Sequence, residues 1–154
     1  NKPRETLAAW KNLWYHSGDL GYLDEDGYVY FIGREAHWIR RRGENVSAFE
    51  VEKVLTRHDA VVDCAAVGVP SEIGEEDIKI YVQPVDDRPR PDPSELVDWC
   101  KERIAFFKVP RYVEFVDLFP RTMTKNEIAR HELRERGIGQ AWDSETGDWI
   151  EDRK

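Results

Sequence analysis

The sequence predicts an α+β fold: a small sheet of about three strands packed with helices and preceded by a β-hairpin. Three observations carry this. Segments 61–69, 78–82 and 112–116 are rich in β-branched, aromatic and small apolar residues. Helical periodicity occupies the intervals between and around them, giving the order helix, strand, strand, helix, strand, helix, which packs as helices on a small sheet. Ahead of this pattern, Asp24-Glu25-Asp26-Gly27 separates two runs of alternating aromatic and aliphatic residues, 20–23 and 28–32. Asp-Gly in that setting signals a hairpin, because glycine accepts the positive φ that such turns need.

Taken in order, residues 4–13 form a short predicted helix with Leu7, Ala8 and Trp10 on its apolar side. Trp14 and Tyr15 lead into the loop His16-Ser17-Gly18-Asp19, and the hairpin ends at Gly33. Ser47 and Glu50 have the spacing of a capping box. The helix they open, 48–57, presents Ala48, Val51, Val54 and Leu55 as one apolar stripe. Residues 61–69 read as a fully buried strand. Ile78, Ile80 and Val82 alternate with Lys79, Tyr81 and Gln83, the period of a half-buried strand. Pro84 and Arg88-Pro89-Arg90-Pro91 break the chain into a loop. Asp92-Pro93-Ser94-Glu95 starts a helix with proline in its first turn and a carboxylate near the positive end of the dipole. Leu96, Val97, Cys100 and Ile104 form its apolar face. Residues 112–116 make the third strand, and 128–136 a last helix stopping near Gly137. The tail from Gln140 carries Trp142 and Trp149 among charges, and its composition is compatible with packing or with mobility.

A chain of 154 residues suffices for one ordinary domain and an appendage. Its 40% hydrophobic and 12% aromatic content excludes an acidic disordered chain. A net charge of −8 disfavours nucleic acid and anionic membranes as partners, so the run Arg40-Arg41-Arg42 stands out locally. Cys64 and Cys100 fall inside apolar elements, without metal-ligand or dithiol spacing, and read as small buried hydrophobes. No run is long enough for a membrane-spanning helix and no signal peptide is visible, so a reducing, cytoplasmic setting is expected. The start, Asn1-Lys2-Pro3-Arg4-Glu5-Thr6, reads as mid-protein sequence and suggests a fragment.

Asp19 lies just before the hairpin and Arg34 just after it, so antiparallel strands return them to one end. A carboxylate beside a guanidinium suits the vicinal hydroxyls of a ribose, one accepting and the other donating. It equally suits an ion pair that closes the hairpin, and spacing alone favours the ion pair.

Several motifs, in this order and spacing, carry a resemblance. They are Tyr15-His16-Ser17-Gly18-Asp19-Leu20, Gly33-Arg34-Glu35, Arg40-Arg41-Arg42-Gly43-Glu44-Asn45-Val46-Ser47 and Phe49-Glu50-Val51-Glu52. Together they resemble the acyl-adenylate-forming enzymes, which include acyl-CoA synthetases, luciferases and the adenylation domains of peptide synthetases. Ala66-Val67-Gly68-Val69-Pro70, Phe107-Lys108-Val109-Pro110-Arg111 and Phe119-Pro120-Arg121-Thr122 fit the acyl-CoA synthetase branch. The resemblance runs to about Gly139.

That resemblance implies an ATP-dependent acid–thiol ligase, one part of a longer chain and inactive alone. Such enzymes form an acyl-adenylate and pyrophosphate from a carboxylic acid and ATP, then a thioester with coenzyme A, with Mg held through ATP and the missing domain. Residues 1–35 match the tail of the large N-terminal adenylating domain and 36–154 the mobile C-terminal domain. The hinge falls at Glu35-Ala36-His37, where Ala36 replaces the Asp or Lys usual in relatives. By position, Asp19 and Arg34 match the ribose-contacting pair. Gly43, Glu44 and Asn45, with Val46, match the loop lining the pantetheine tunnel, and Arg40 a basic residue of the thioester step. No metal ligand is carried over. Arg41 and Arg42 match either coenzyme A phosphates or solvent. Glu50 is explained as the capping partner of Ser47, and Lys108 is read as structural ahead of a phosphate contact.

The chain departs from the family where the catalytic lysine belongs. Counting from Pro120 puts that position on Asn126, and counting back from the last helix puts it on Glu127, as though one residue were inserted. Lys125 is the residue assigned the role, since its long stem reaches the same point, with Arg121 and Arg130 as the neighbouring cations. A solvated lysine before a helix is the competing reading. Competing functions are an adenylation domain that loads a carrier protein and a stand-alone, non-catalytic binding module.

Overall fold

The computed structural model describes residues 3–123 and 125–150. The chain divides into two units, Asn1–His37 and Trp38–Lys154. Asn1 and Lys2 of the opening segment, Thr124 of the Pro-Arg-Thr segment, and the last tail residues 151–154 lie outside the described residues.

In the first unit, α1 (Pro3–Ala9) precedes a short ribbon of β1 (Trp10–Lys11) and β2 (Trp14–Tyr15), then a hairpin of β3 (Asp19–Leu23) and β4 (Val29–Arg34). The helix expected over 4–13 stops at Ala9. Asn12 and Leu13 take positive φ, 52° and 66°, and close a two-residue turn that pairs Trp10 with Tyr15. In the hairpin turn, Asp24 Oδ1 accepts from the Asp26 and Tyr28 amides at 3.1 and 2.8 Å, and Gly27 takes φ 86°. Gly21 is required for a different reason: a Cβ there would lie 2.6 Å from the Tyr30 carbonyl oxygen, beside the bulge that follows Leu20. Among the described residues, neither buried apolar cluster draws on this unit. Leu13, Trp14, Tyr15, Leu23, Tyr28 and Val29 are all well exposed.

The second unit opens with a hairpin that periodicity does not announce, β5 (Trp38–Arg41) and β6 (Glu44–Ser47). Its turn residues, Arg42 and Gly43, both take positive φ, 52° and 80°. Such turns match the twist of the flanking strands. α2 (Ala48–Leu55), β7 (Val61–Pro70), β8 (Glu76–Pro84), α3 (Pro93–Lys101), β9 (Tyr112–Phe115), α4 (Arg130–Glu135), β10 (Trp142–Asp143) and β11 (Asp148–Trp149) follow. The expected α+β architecture is present, with more strands than the three anticipated. The sheet has five, in the order β11-β10-β9-β8-β7, because the tail supplies two short ones. β7 and β8 are antiparallel, and β8 and β9 are parallel across the α3 crossover.

Capping differs at the two main helices. Asp92 caps α3, accepting from the Ser94 amide at 2.8 Å. Ser47 occupies the N-cap of α2 without a side-chain cap hydrogen bond, so the capping box is not formed. Glu50 is drawn away by Lys108, whose Nζ donates to Oε1 and Oε2 at 2.7 and 2.8 Å.

Strand alternation sends one set of side chains to each face of the sheet, and both faces are covered. Cys64, Ala66, Ile78, Ile80 and Val82 pack with Val51, Leu55, Leu96, Val97 and Cys100 from α2 and α3. Ala65, Val67, Tyr81 and Tyr112 pack on the other face with Leu133 and Ala141. β8 is therefore buried on both faces rather than half-buried. Tyr81 donates to the Leu133 carbonyl at 2.9 Å. Lys79, fully buried, donates to Glu114 Oε2 at 2.6 Å and to the Gly137 and Ile138 carbonyls at 3.0 and 2.7 Å. Burial pushes its amine below the usual lysine range, and the Glu114 carboxylate opposes that shift. Both cysteines are buried free thiols, pushed up by desolvation. No helix among the described residues is long and apolar enough to cross a membrane.

Candidate functional site

Asp19 and Arg34 are directly opposite in the β3–β4 ladder, and Arg34 Nε donates to Asp19 Oδ1 at 2.9 Å. The hairpin thus brings together two residues fifteen positions apart. Ser17 Oγ accepts from the Asp19 amide at 3.1 Å, and the Glu35 amide donates to the Gly18 carbonyl at 2.8 Å, fixing the loop around the pair. The two side chains are 40% and 37% exposed, so solvent reaches both. A carboxylate offers about four lone-pair positions, and Arg34 uses one of them here. A hollow of about 470 Å³ lined by Ser17, Gly18, Arg34, Glu35, Ala36 and His37 lies at this end of the hairpin. The arrangement is able to accept a diol.

The β5–β6 hairpin assembles Arg40, Gly43, Glu44 and Asn45. Arg40 faces Asn45 across the ladder, and its Nη1 donates to Asn45 Oδ1 at 3.0 Å. All four are exposed. Three consecutive acids, Glu75, Glu76 and Asp77, grip this hairpin. Both carboxylate oxygens of Glu75 accept from the Gly43 amide, at 2.9 and 3.1 Å. Glu76 Oε2 accepts from the Arg40 amide at 3.0 Å. Asp77 Oδ1 lies 3.3 Å from Arg41 Nε. Nothing in the spacing of an acidic run reveals such contacts, because each partner lies over 30 residues away.

Arg41 does not reach solvent or a phosphate. It is buried, and its Nη1 donates to the Phe107 carbonyl at 3.3 Å and to the Val109 carbonyl. Asp77 continues the network to Arg111, whose Nη2 also meets Asp143 Oδ2 at 3.0 Å. Hydrogen bonding to Asp143 holds the Arg111 guanidinium above its already high range. The tail is thereby tied into the fold. Arg42 stays exposed at the turn. Lys108 takes the structural role, held by Glu50.

Lys125 is exposed in a closed loop between an isolated Arg121–Ile128 bridge. The Asn126 amide donates to the Thr122 carbonyl at 3.0 Å and the Thr122 amide to the Glu127 carbonyl at 2.8 Å. Asn126 adopts φ 54°, one of the few non-glycine residues to do so. The two neighbouring cations are already engaged. Arg121 Nη2 donates to Asp63 Oδ2 at 3.0 Å and its Nη1 to the Asn126 carbonyl at 3.2 Å. Arg130 Nη2 donates to Glu52 Oε1 and Oε2 at 2.9 and 2.8 Å. Among the described residues, no group of three or more His, Cys, Asp or Glu side chains is arranged to hold a metal.

A model of the AMP-binding enzyme C-terminal domain matches residues 50–126, half of the chain. The chain belongs to the AMP-binding enzyme C-terminal domain family. Within it, the chain is 38% identical over 132 residues to crotonobetaine/carnitine–CoA ligase of Proteus mirabilis, covering 85% of this chain and 25% of that protein. It is 37% identical over 139 residues to a long-chain-fatty-acid–CoA ligase of Escherichia coli O6:H1, covering 90% and 24%. O-succinylbenzoate coenzyme A synthetase from Bacillus subtilis, solved in complex with AMP, superposes with a TM-score of 0.77 at 33% identity, covering 90% of this chain and 28% of that one. The chain spans about a quarter of the length of the curated relatives it matches. The family model runs from Glu50 within α2 through β7, β8, α3 and β9 to Asn126, just past Lys125.

Proposed function

We propose that this chain is the C-terminal portion of an AMP-forming, ATP-dependent acyl-CoA ligase, which activates a carboxylic acid as acyl-AMP and transfers it to coenzyme A. The observation that carries the reading is the Asp19–Arg34 pair, set opposite on one ladder and half-exposed beside a hollow. Coenzyme A ligases among the relatives support it. Residues 1–35 form the ribose-contacting end of an N-terminal adenylating domain, and 36–154 the C-terminal domain that turns on the segment around Ala36. Exposed aromatic and aliphatic side chains across the first unit support packing against more protein.

In this proposal, Asp19 accepts from the ribose hydroxyls of ATP and Arg34 orients it while donating to the same sugar. Charge-assisted hydrogen bonds of this kind are worth about 1.5–3 kcal/mol each. Lys125 places a positive charge against the reacting carboxylate and the α-phosphate during adenylation, and Mg arrives bound to ATP and the N-terminal domain. For the thioester step, the Gly43-Glu44-Asn45 tip lines the path of the pantetheine arm, with Arg40 beside it. Gly43 suits that position because the absence of a Cβ lets the backbone of an exposed turn come close to a ligand. Two free buried thiols support a reducing, cytoplasmic location.

The test is pyrophosphate release by the longer ligase against a panel of carboxylic acids, with coenzyme A or a phosphopantetheinylated carrier protein as acceptor. Acid-dependent release and formation of acyl-CoA are expected. Acyl transfer to the carrier protein alone would replace this reading with the carrier-loading one. Absence of acid-dependent pyrophosphate release would overturn both.

A further inference from the structure

We infer that Glu75 and Glu76 are positioning residues that set the pose of the 40–45 hairpin tip for the thioester half-reaction. This rests on the ligase reading, in which that tip meets coenzyme A. Neither carboxylate is given a contact with the ligand. Both act through the backbone that carries Arg40, Gly43 and Asn45.

The argument begins with the turn. In a two-residue hairpin, the central amides have no ladder partner, and the next pair outward along the strands turns its amides away from the ladder. Arg41 and Glu44 flank the turn, so the Arg40 amide points to the outer edge and the Gly43 amide points off the tip. Water would ordinarily take both. Instead each meets a carboxylate from residues that sit over 30 positions downstream: Glu75 with both oxygens on Gly43, and Glu76 Oε2 on Arg40. Hydrogen bonds from amides to ionised carboxylates are about twice as strong as neutral ones.

The seat of Glu76 is built into the fold. Its carboxylate lies across Gly68, where an added Cβ would stand 2.4 Å from Glu76 Cδ and 2.5 Å from Oε2. Any larger residue at 68 displaces it. Arg134 of α4 approaches from the far side, with Nη2 3.3 Å from Glu76 Oε1. On the buried side, Asp77 and the Phe107 and Val109 carbonyls hold Arg41. The hairpin is therefore held on its buried face by Arg41, Ile39 and Val46, and at the Gly43 turn and the outer edge of Arg40 by Glu75 and Glu76. Without the second set, the buried face stays anchored, while the Gly43 turn backbone and the solvent-facing side chains of Arg40 and Asn45 lose the contacts that fix their pose.

The experiment separates the two half-reactions in the longer ligase. In Glu75→Ala, thioester formation from supplied acyl-adenylate falls about tenfold or more, since a misplacement of 1 Å can cost about a hundredfold. Pyrophosphate release from acid and ATP stays at the parent rate. Glu75→Gln, whose amide oxygen still accepts from Gly43, recovers most of the loss. Gly68→Val, which evicts Glu76, reproduces the Glu75→Ala pattern. Hydrogen exchange measured by mass spectrometry accelerates in peptides spanning 40–45 in Glu75→Ala. Equal slowing of both half-reactions, or a parent rate of thioester formation in Glu75→Ala, would overturn the positioning role. Gly43→Val identifies which idea failed. If it blocks thioester formation while Glu75→Ala does not, positioning alone is wrong; if it too leaves that step intact, the hairpin does not serve coenzyme A.

Discussion

Arg130→Ala offers the sharpest test of the packing logic, because it removes one side of a nearly enclosed ion pair. Glu52 is 8% exposed, and its carboxylate accepts from Arg130 Nε at 3.2 Å, from Nη2 at 2.9 and 2.8 Å, and from the Ala66 amide at 2.8 Å. Truncation leaves a buried carboxylate with the Ala66 amide as its remaining hydrogen-bond donor. Breaking a buried pair from one side costs about 3–5 kcal/mol. The Arg130 side chain is 23% exposed, so water enters part of the space it vacates, which places the loss near the lower end, about 3 kcal/mol. The pH dependence has a definite sign. Burial raises the Glu52 carboxyl above its ordinary value, with Arg130 and the Ala66 amide opposing. A carboxyl raised in the folded state contributes stability while protonated and loses it as pH climbs through the raised value. Deleting Arg130 raises it further, so the penalty grows as pH rises above the ordinary carboxylate range, and it is larger at an assay pH of about 7.5 than at one of about 5. Urea denaturation of parent, Arg130→Ala, Glu52→Gln and the double variant, at both pH values, measures this. The double variant should recover at least half of the single-mutant loss, because the buried charge is gone. A penalty below about 1 kcal/mol, or one that is equal at both pH values, would refute the reasoning.

In the longer ligase proposed above, Asp19→Ala should raise the KM for ATP by about tenfold or more, the scale of one lost charged hydrogen bond. Its urea midpoint should hardly move, as an exposed pair is worth about 0–1 kcal/mol; a large stability loss with an unchanged KM would make the pair purely structural. Lys125→Ala should slow adenylation by about a hundredfold or more, the usual scale for losing a preorganised charge donor. Thioester formation from supplied acyl-adenylate should survive, and unchanged adenylation would remove Lys125 from the chemistry. Lys79→Ala strands Glu114 and the Gly137 and Ile138 carbonyls, each costing about 1–3 kcal/mol if left unpaired. A lower urea midpoint by the equivalent of about 3 kcal/mol is expected, and a neutral result would show that water replaces the amine freely.

Local chemistry made much of this molecule legible in the sequence. Asp24-Glu25-Asp26-Gly27 closes a hairpin because the Asp24 carboxylate and the Gly27 backbone act within four residues. The Asp19–Arg34 pairing follows from that hairpin, since antiparallel return is set by the turn. Asp92 caps α3, and the apolar stripe of Val51 and Leu55 finds the core. The helix over 4–13 failed at Asn12 and Leu13, where a positive-φ turn overrode propensity. The box at Ser47 and Glu50 failed because Lys108, 58 positions from Glu50, offered its carboxylate a full charge.

What only the tertiary structure decided is clearest in Arg40-Arg41-Arg42, three identical side chains with three fates. Strand alternation alone sends neighbours to opposite sides, but it does not say which side is inside. Arg40 is exposed against Asn45, Arg42 lies at the turn, and Arg41 is buried because Asp77 and the carbonyls of Phe107 and Val109 converge on it. Lys79 repeats the lesson: its place in an alternating strand suggests solvent, yet the segment after α4 closes over it and supplies the carbonyls of Gly137 and Ile138. Burying a charge costs more than any local preference returns, and only partners brought in from distant parts of the chain offset that cost. Periodicity and turn chemistry therefore determined the elements, and long-range charge pairing determined which polar residues face the site and which hold it in place.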